Sequence, residues 1–158
     1  MSIALARIDD RLIHGQVVIG WGVPLRVELI AVVDDGVAAN DWEQEIYRMA
    51  LPGTVAVEFV GRDQAGHRLG QWAADSRPVF VLTSDPDTMA ALVSASHGAI
   101  RRVNLGGIHS GPGRRERLRY VYLTDAEMNT LRRLEEQGAV ITAQDVPGAT
   151  AVPLRELE

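Results

Sequence analysis

The sequence predicts a single-domain, doubly wound α/β fold, with a mostly parallel sheet and helices on both faces. Three observations carry this. Strand-like and helix-like segments alternate with short connections along all 158 residues. The strands are continuous apolar runs, as expected for strands covered on both faces. Capping and breaking residues mark the ends of the helices between them.

Ile3–Arg7 is the first strand and Gly15–Gly22 a short helix ended by Gly22 and Pro24. Val27–Val33, V-E-L-I-A-V-V, is the second strand, closed by Asp34-Asp35-Gly36. Asn40 caps a helix to Ala50, with Glu43 as its partner three residues on. Thr54–Val60 alternates as a strand, and Gln64–Ala74 is helical. Pro78–Thr83, P-V-F-V-L-T, is a buried type of strand. Asp85 caps the next helix, with Pro86 in its first turn, and Gly98 ends it. Ile100–Leu105 and Tyr120–Leu123 are strands. Thr124 and Glu127 form a capping box for a helix running to about Gln137 and closed by Gly138, and Val140–Ala143 is the last strand.

Composition removes several chemistries. All 16 basic residues are arginine, so Schiff-base and P-loop lysines are excluded. With no cysteine, so are thiol catalysis, disulfides and thiolate metal sites. A net charge of -5 argues against nucleic acid or an acidic membrane surface as the main partner. No stretch approaches the roughly 20 apolar residues that span a bilayer. No signal peptide is read at the N-terminus, and the expected location is cytoplasmic.

The densest chemistry runs from Ala6 to Val17, A-R-I-D-D-R-L-I-H-G-Q-V. The His14 imidazole is nucleophilic at neutral pH. Arg11 has a planar fork that binds two phosphate oxygens. Backbone amides from Ile13 to Gln16 can complete a phosphate cradle, with Gly15 letting the backbone come close. Asp9 or Asp10 can orient Arg11 or a ring nitrogen of His14, and spacing leaves that choice open. The plainer alternative is a solvated turn with a local ion pair and a structural histidine. No second histidine has ligand spacing for a metal with Asp9, Asp10 and His14, so no metal is expected. There is no G-x-S-x-G elbow, and Gly20 and Gly22 make no dinucleotide fingerprint.

The stretch R-I-D-D-R-L-I-H-G-Q-V resembles the signature of the IIB subunits of the bacterial phosphoenolpyruvate:sugar phosphotransferase system, mannose/fructose/sorbose family. The resemblance covers essentially the whole chain, residues 1–158. It continues in V-V-D-D-G-V-A-A-N-D at Val32–Asp41, N-L-G-G-I-H at Asn104–His109 and Y-V-Y-L-T at Tyr120–Thr124. It implies a largely parallel seven-stranded sheet, with His14 phosphorylated on Nδ1 and Arg11 as the active-site arginine. His14 would accept the phosphoryl group from a IIA subunit and pass it to a sugar held by membrane IIC and IID subunits. No cofactor is implied, and the subunit would sit at the inner face of the cell membrane. The alternative is a regulatory module that is phosphorylated without feeding transport.

The secondary candidates each admit a functional and a plainer role. The hydroxyls of Thr83 and Ser84 can bind a phosphate oxygen, or form a turn and helix cap. Gly106 and Gly107 allow either close backbone approach or a turn. Asp34 and Asp35 suit partner docking or a solvated turn. His109 is read as an exposed loop residue, and His67 and His97 have no evident role. Arg114, Arg115, Arg117 and Arg119 suit docking of an acidic IIA face or of the cytoplasmic side of the membrane complex, or a solvated loop. Trp21, Trp42 and Trp72 are read as packing residues. An acidic surface and edge strands permit a homodimer.

Overall fold

A computed structural model describes residues 3–158. The apolar runs become strands: β1 Ile3–Ile8, β2 Leu29–Val33, β3 Ala56–Val60, β4 Val79–Thr83 and β5 Arg102–Leu105. Four more follow: β6 Arg115–Leu118, β7 Val121–Leu123, β8 Val140–Ala143 and β9 Val152–Pro153. Seven form one sheet in the order β3-β2-β4-β1-β5-β8-β9. Every pairing in it is parallel except that of β8 with β9. β6 and β7 form a separate antiparallel hairpin. The doubly wound, mostly parallel, seven-stranded expectation holds.

Alternation along the strands divides the core into two layers. Leu29, Ala31 and Val33 face one side of the sheet. There they meet α3 (Arg62–Ala74), α4 (Pro86–Ala95) and α5 (Asp125–Glu136) through Trp72, Met89 and Leu131. Ile30, Val32, Phe80 and Leu82 face the other side, against Val17, Trp21 and Val37. That side carries a π-helical turn at Gln16–Gly22, α1 (Asp35–Ala38) and α2 (Asp41–Met49).

The caps read from the sequence are present. Asn40 accepts from the Glu43 amide at 3.1 Å, and Asp85 from the Thr88 amide at 2.7 Å. Thr124 and Glu127 cap each other's backbone amides reciprocally, at 3.0 and 2.9 Å. Thr124→Ala is expected to cost about 1 kcal/mol, read as a lower urea midpoint with an unchanged slope.

The departures have physical causes. The helix expected at Gln64 starts at Arg62, because Asp35 reaches across 27 residues to accept from the Arg62 amide at 2.7 Å. The same carboxylate sits in the first turn of α1, where an acidic turn was expected. The short helix expected at Gly15–Gly22 is present at Gln16–Gly22 and is wound as a π-helix, a form that gathers at functional sites. The arginine-rich segment after Gly113 is not a loop. It forms β6, and its guanidinium groups tie the hairpin to the start of α5. Arg114 grips Glu127 at 3.1 Å, and both Arg115 and Arg117 reach Asp125, at 2.9 and 3.0 Å.

The topology also places the ligand edge. The connection leaving β1 runs to β2 on one side, while that leaving β5 runs through α5 to β8 on the other. A crevice opens between strands whose connections part in this way, at their carboxyl ends.

Candidate functional site

The site grows from the end of β1. Alternation puts Arg7 and Asp9 on the same side of the chain, and both are fully buried. The Arg7 guanidinium is held from four directions. Its Nη2 donates to Asp9 Oδ2 at 3.0 Å and to the Asp145 carbonyl at 3.1 Å. Its Nη1 donates to the Gln144 carbonyl at 2.9 Å and to Asn104 Oδ1. The guanidinium lies 5.1 Å over the Trp21 ring, whose Nε1 donates to the same Asp145 carbonyl at 3.0 Å. Any Cβ at Gly106 would fall inside this guanidinium, so Gly106 is there for close approach and not for a turn.

Asp9 carries the next layer. Its amide donates to the Thr83 carbonyl at 2.9 Å, and its carbonyl accepts from the Leu12 amide at 2.9 Å to close a turn. Leu12 then takes a left-handed φ of 57°, with its side chain buried in the core. A left-handed non-glycine residue costs about 1–2 kcal/mol, which the burial of Leu12 offsets. The reversal buries Ile13 and brings His14 back over Asp9.

The Asp9 carboxylate therefore faces three cationic or basic groups. Arg11 donates to Oδ1 through its amide at 3.2 Å and its Nε at 3.3 Å. His14 Nε2 is buried and lies 3.2 Å from Oδ2, a pairing distance without the alignment of a good hydrogen bond. Burial alone would raise the Asp9 pKa. The proximity of His14, Arg7 and Arg11 more than reverses this and holds the carboxyl well below its usual range. Arg11 is more open to solvent, and Gln16 Oε1 accepts from its Nη2 at 3.2 Å.

Arg11, His14, Gly15 and Gln16 thus come together as expected, with Ile13 buried beneath them. Two expectations need correcting. Asp10, placed among the catalytic group, points away from it. Its oxygens take the His109 amide at 2.8 Å and His109 Nδ1 at 2.7 Å, because strand alternation sends Asp9 inward and Asp10 outward. Thr83 is fully buried, and its hydroxyl donates to the Asp85 carbonyl at 3.4 Å, so it forms a turn and not a phosphate contact. Ser84 follows it, half-buried in the same turn.

The buried residues behind the loop were missed. Arg7 puts a charge inside an otherwise apolar strand, and Asn104 puts a buried amide into β5. A charge two residues before Asp9 in I-A-L-A-R-I was the readable signal. Trp21 packs in the apolar layer, as expected, and also lies under the Arg7 guanidinium.

A buried Arg–Asp pair behind an exposed arginine and a histidine, at the crevice of a doubly wound sheet, can be set beside known proteins. Residues 3–157 match the family described as PTS system sorbose subfamily IIB component. The chain belongs to this family of phosphotransferase-system IIB components. It is a phosphotransferase.

It is 32% identical over 148 residues to the N-acetylgalactosamine-specific phosphotransferase enzyme IIB component 1 of Escherichia coli K12, covering 93% of this chain and 92% of that one. Over 92% of its length it is 31% identical to the E. coli K12 mannose-specific EIIAB component, of which it covers 45%. Among solved structures, the IIBSor domain of the sorbose permease from Klebsiella pneumoniae superposes with a TM-score of 0.91 at 28% identity. That match covers 99% of this chain and 96% of the other. Among the described residues no helix of this IIB chain is long and apolar enough to cross a membrane.

Proposed function

We propose that this IIB chain carries a phosphoryl group covalently on His14, between a IIA donor and a sugar held by membrane IIC and IID subunits. The observation that supports it best is the orientation of the His14 ring. Nε2 is turned inward onto Asp9 at 3.2 Å, which leaves Nδ1 as the nitrogen for chemistry. A carboxylate at Nε2 favours the tautomer that carries its proton there, with the Nδ1 lone pair free.

In the first step His14 Nδ1 attacks phosphorus on the donor phosphohistidine. The donor N–P bond breaks as the new one forms, and no net proton is needed. In the second step a sugar hydroxyl attacks phosphorus, the Nδ1–P bond breaks, and the hydroxyl proton ends on the imidazole. Such transfers demand positioning and positive charge around the equatorial oxygens. Arg11 supplies that charge, steadied by Asp9 and Gln16, and the amides from Ile13 to Gln16 supply further donors. Ser84 is the one hydroxyl at the β4 end that remains a candidate phosphate contact.

The mannose-specific EIIAB relative, whose name joins A and B, supports a IIA partner. In this reading the whole chain works as one IIB unit in the cytoplasm, at the inner face of the membrane.

Incubation with a phosphorylated, isotopically labelled IIA subunit tests this. The expected label is acid- and heat-labile, base-stable, and located on Nδ1 of His14. No label, or a label on another residue, overturns the proposal. Arg11→Ala is expected to slow the transfer, and an unaltered rate removes Arg11 from the mechanism. Sugar phosphorylation by membranes carrying IIC and IID tests the second step.

A further inference from the structure

Beside the His14 loop lies a cavity of about 440 Å³ whose walls include Arg11, His109, Ser110, Arg119, Tyr120 and Tyr122. It is within the size range of small-molecule sites. Arg11 and Gln16, which also lines it, tie it to the phosphoryl group, while His109, Ser110, Arg119, Tyr120 and Tyr122 have no part in the chemistry above.

The wall is built and held. Ile108 donates to the Tyr120 carbonyl at 2.9 Å, and its own carbonyl accepts from Tyr122 at 3.0 Å. This pairing ties the segment after β5 to the start of β7, and strand alternation sends Tyr120 and Tyr122 to the same side. Asp10 holds His109 by both its amide and its ring, while Arg114 Nη1 donates to the His109 carbonyl at 3.0 Å.

The charges are uneven. Arg114, Arg115 and Arg117 are all paired with carboxylates. Arg119 makes no salt bridge among the described residues, and it lines the cavity. Against Arg11 and Arg119 the wall carries one carboxylate, Asp145. Two arginines, a histidine, two phenols and a serine hydroxyl suit a ligand that is both anionic and rich in hydroxyls.

The geometry points to a binding site for the sugar phosphate itself, its phosphate on Arg11 and its ring in the crevice between Arg119 and the two tyrosines. This rests on the carrier reading, in which a sugar hydroxyl must approach phosphorus beside Arg11. The IIB chain would then supply part of the wall around the sugar ring and retain the product weakly after transfer.

The test is titration of the unphosphorylated chain with N-acetylgalactosamine 6-phosphate and, separately, inorganic phosphate, followed by amide NMR shifts. The sugar phosphate is expected to bind at least about tenfold more tightly than inorganic phosphate. It is expected to shift Ser110, Arg119, Tyr120 and Tyr122. Arg119→Gln is expected to weaken it about fivefold, and Tyr122→Phe is expected to weaken it too, while both variants still accept phosphate on His14. Equal affinity for the two probes, shifts confined to Arg11–Gln16, or no effect of Arg119→Gln overturns the inference. Phosphorylation of His14 in the same preparation separates the two claims. If His14 is labelled and the crevice stays empty, only this inference falls. If His14 is not labelled, the carrier reading falls first.

Discussion

Replacing Arg7 by Met is expected to remove about 3–5 kcal/mol of stability, because it strips a buried carboxylate of its buried partner. The guanidinium links β1, Asn104 of β5, the backbone after β8 and the Trp21 ring, so one substitution loosens four segments. Methionine can fill much of the volume but satisfies none of these acceptors. Arg7→Lys keeps the charge but loses the fork, and is expected to fall between the two. Urea unfolding at pH 7 measures the loss, and a cost under about 1 kcal/mol would mean that the pair is effectively solvated.

The same pair sets a pH dependence. Asp9 titrates below its ordinary value in the folded state, so its contribution is complete above about pH 4. As pH falls below that value the unfolded chain takes up a proton that the folded one resists, and stability declines. In Arg7→Met the Asp9 carboxyl loses one of the cations holding it down, and this acid-sensitive part of the stability is expected to shrink.

The second large effect is on transfer. Asp9→Asn is expected to slow phosphorylation of His14 by about 100-fold, the scale that a misplaced reacting group costs. The amide cannot balance Arg7 and Arg11 together, and it no longer favours a proton on Nε2. Ring ¹⁵N shifts of His14 should therefore show a changed tautomer balance, which a merely structural loss would not produce in protein still folded by circular dichroism. Asp10→Asn is the contrast: its carboxylate serves His109, so the rate should stay within a few-fold. Equal damage from both variants would reject the division of roles between the two carboxylates.

Most of the fold was legible because its signals are local. The runs V-E-L-I-A-V-V and P-V-F-V-L-T, the capping residues Asn40, Asp85 and Thr124, and the terminating Gly138 each act within a few residues. What the sequence concealed acts at a distance. Asp35 caps a helix 27 residues away, and Arg114, Arg115 and Arg117 look like a solvated basic run until Glu127 and Asp125 fold against them. The site divides the same way. Arg11, His14 and Gln16 come together through local spacing. The choice between Asp9 and Asp10 depended on where β1 stops alternating, and the charge of Arg7 inside an apolar strand was a local signal whose role depends on Asn104 and the backbone of Gln144 and Asp145 folding around it.

One carboxylate faces Arg7, Arg11 and the histidine at once. If His14 carries a dianion as proposed, that dianion would meet an Arg11 already shared with Asp9. The cargo would then be gripped by a divided arginine. A courier must take hold and then let go, and an internal rival for the clasp would keep the hold shallow enough for both.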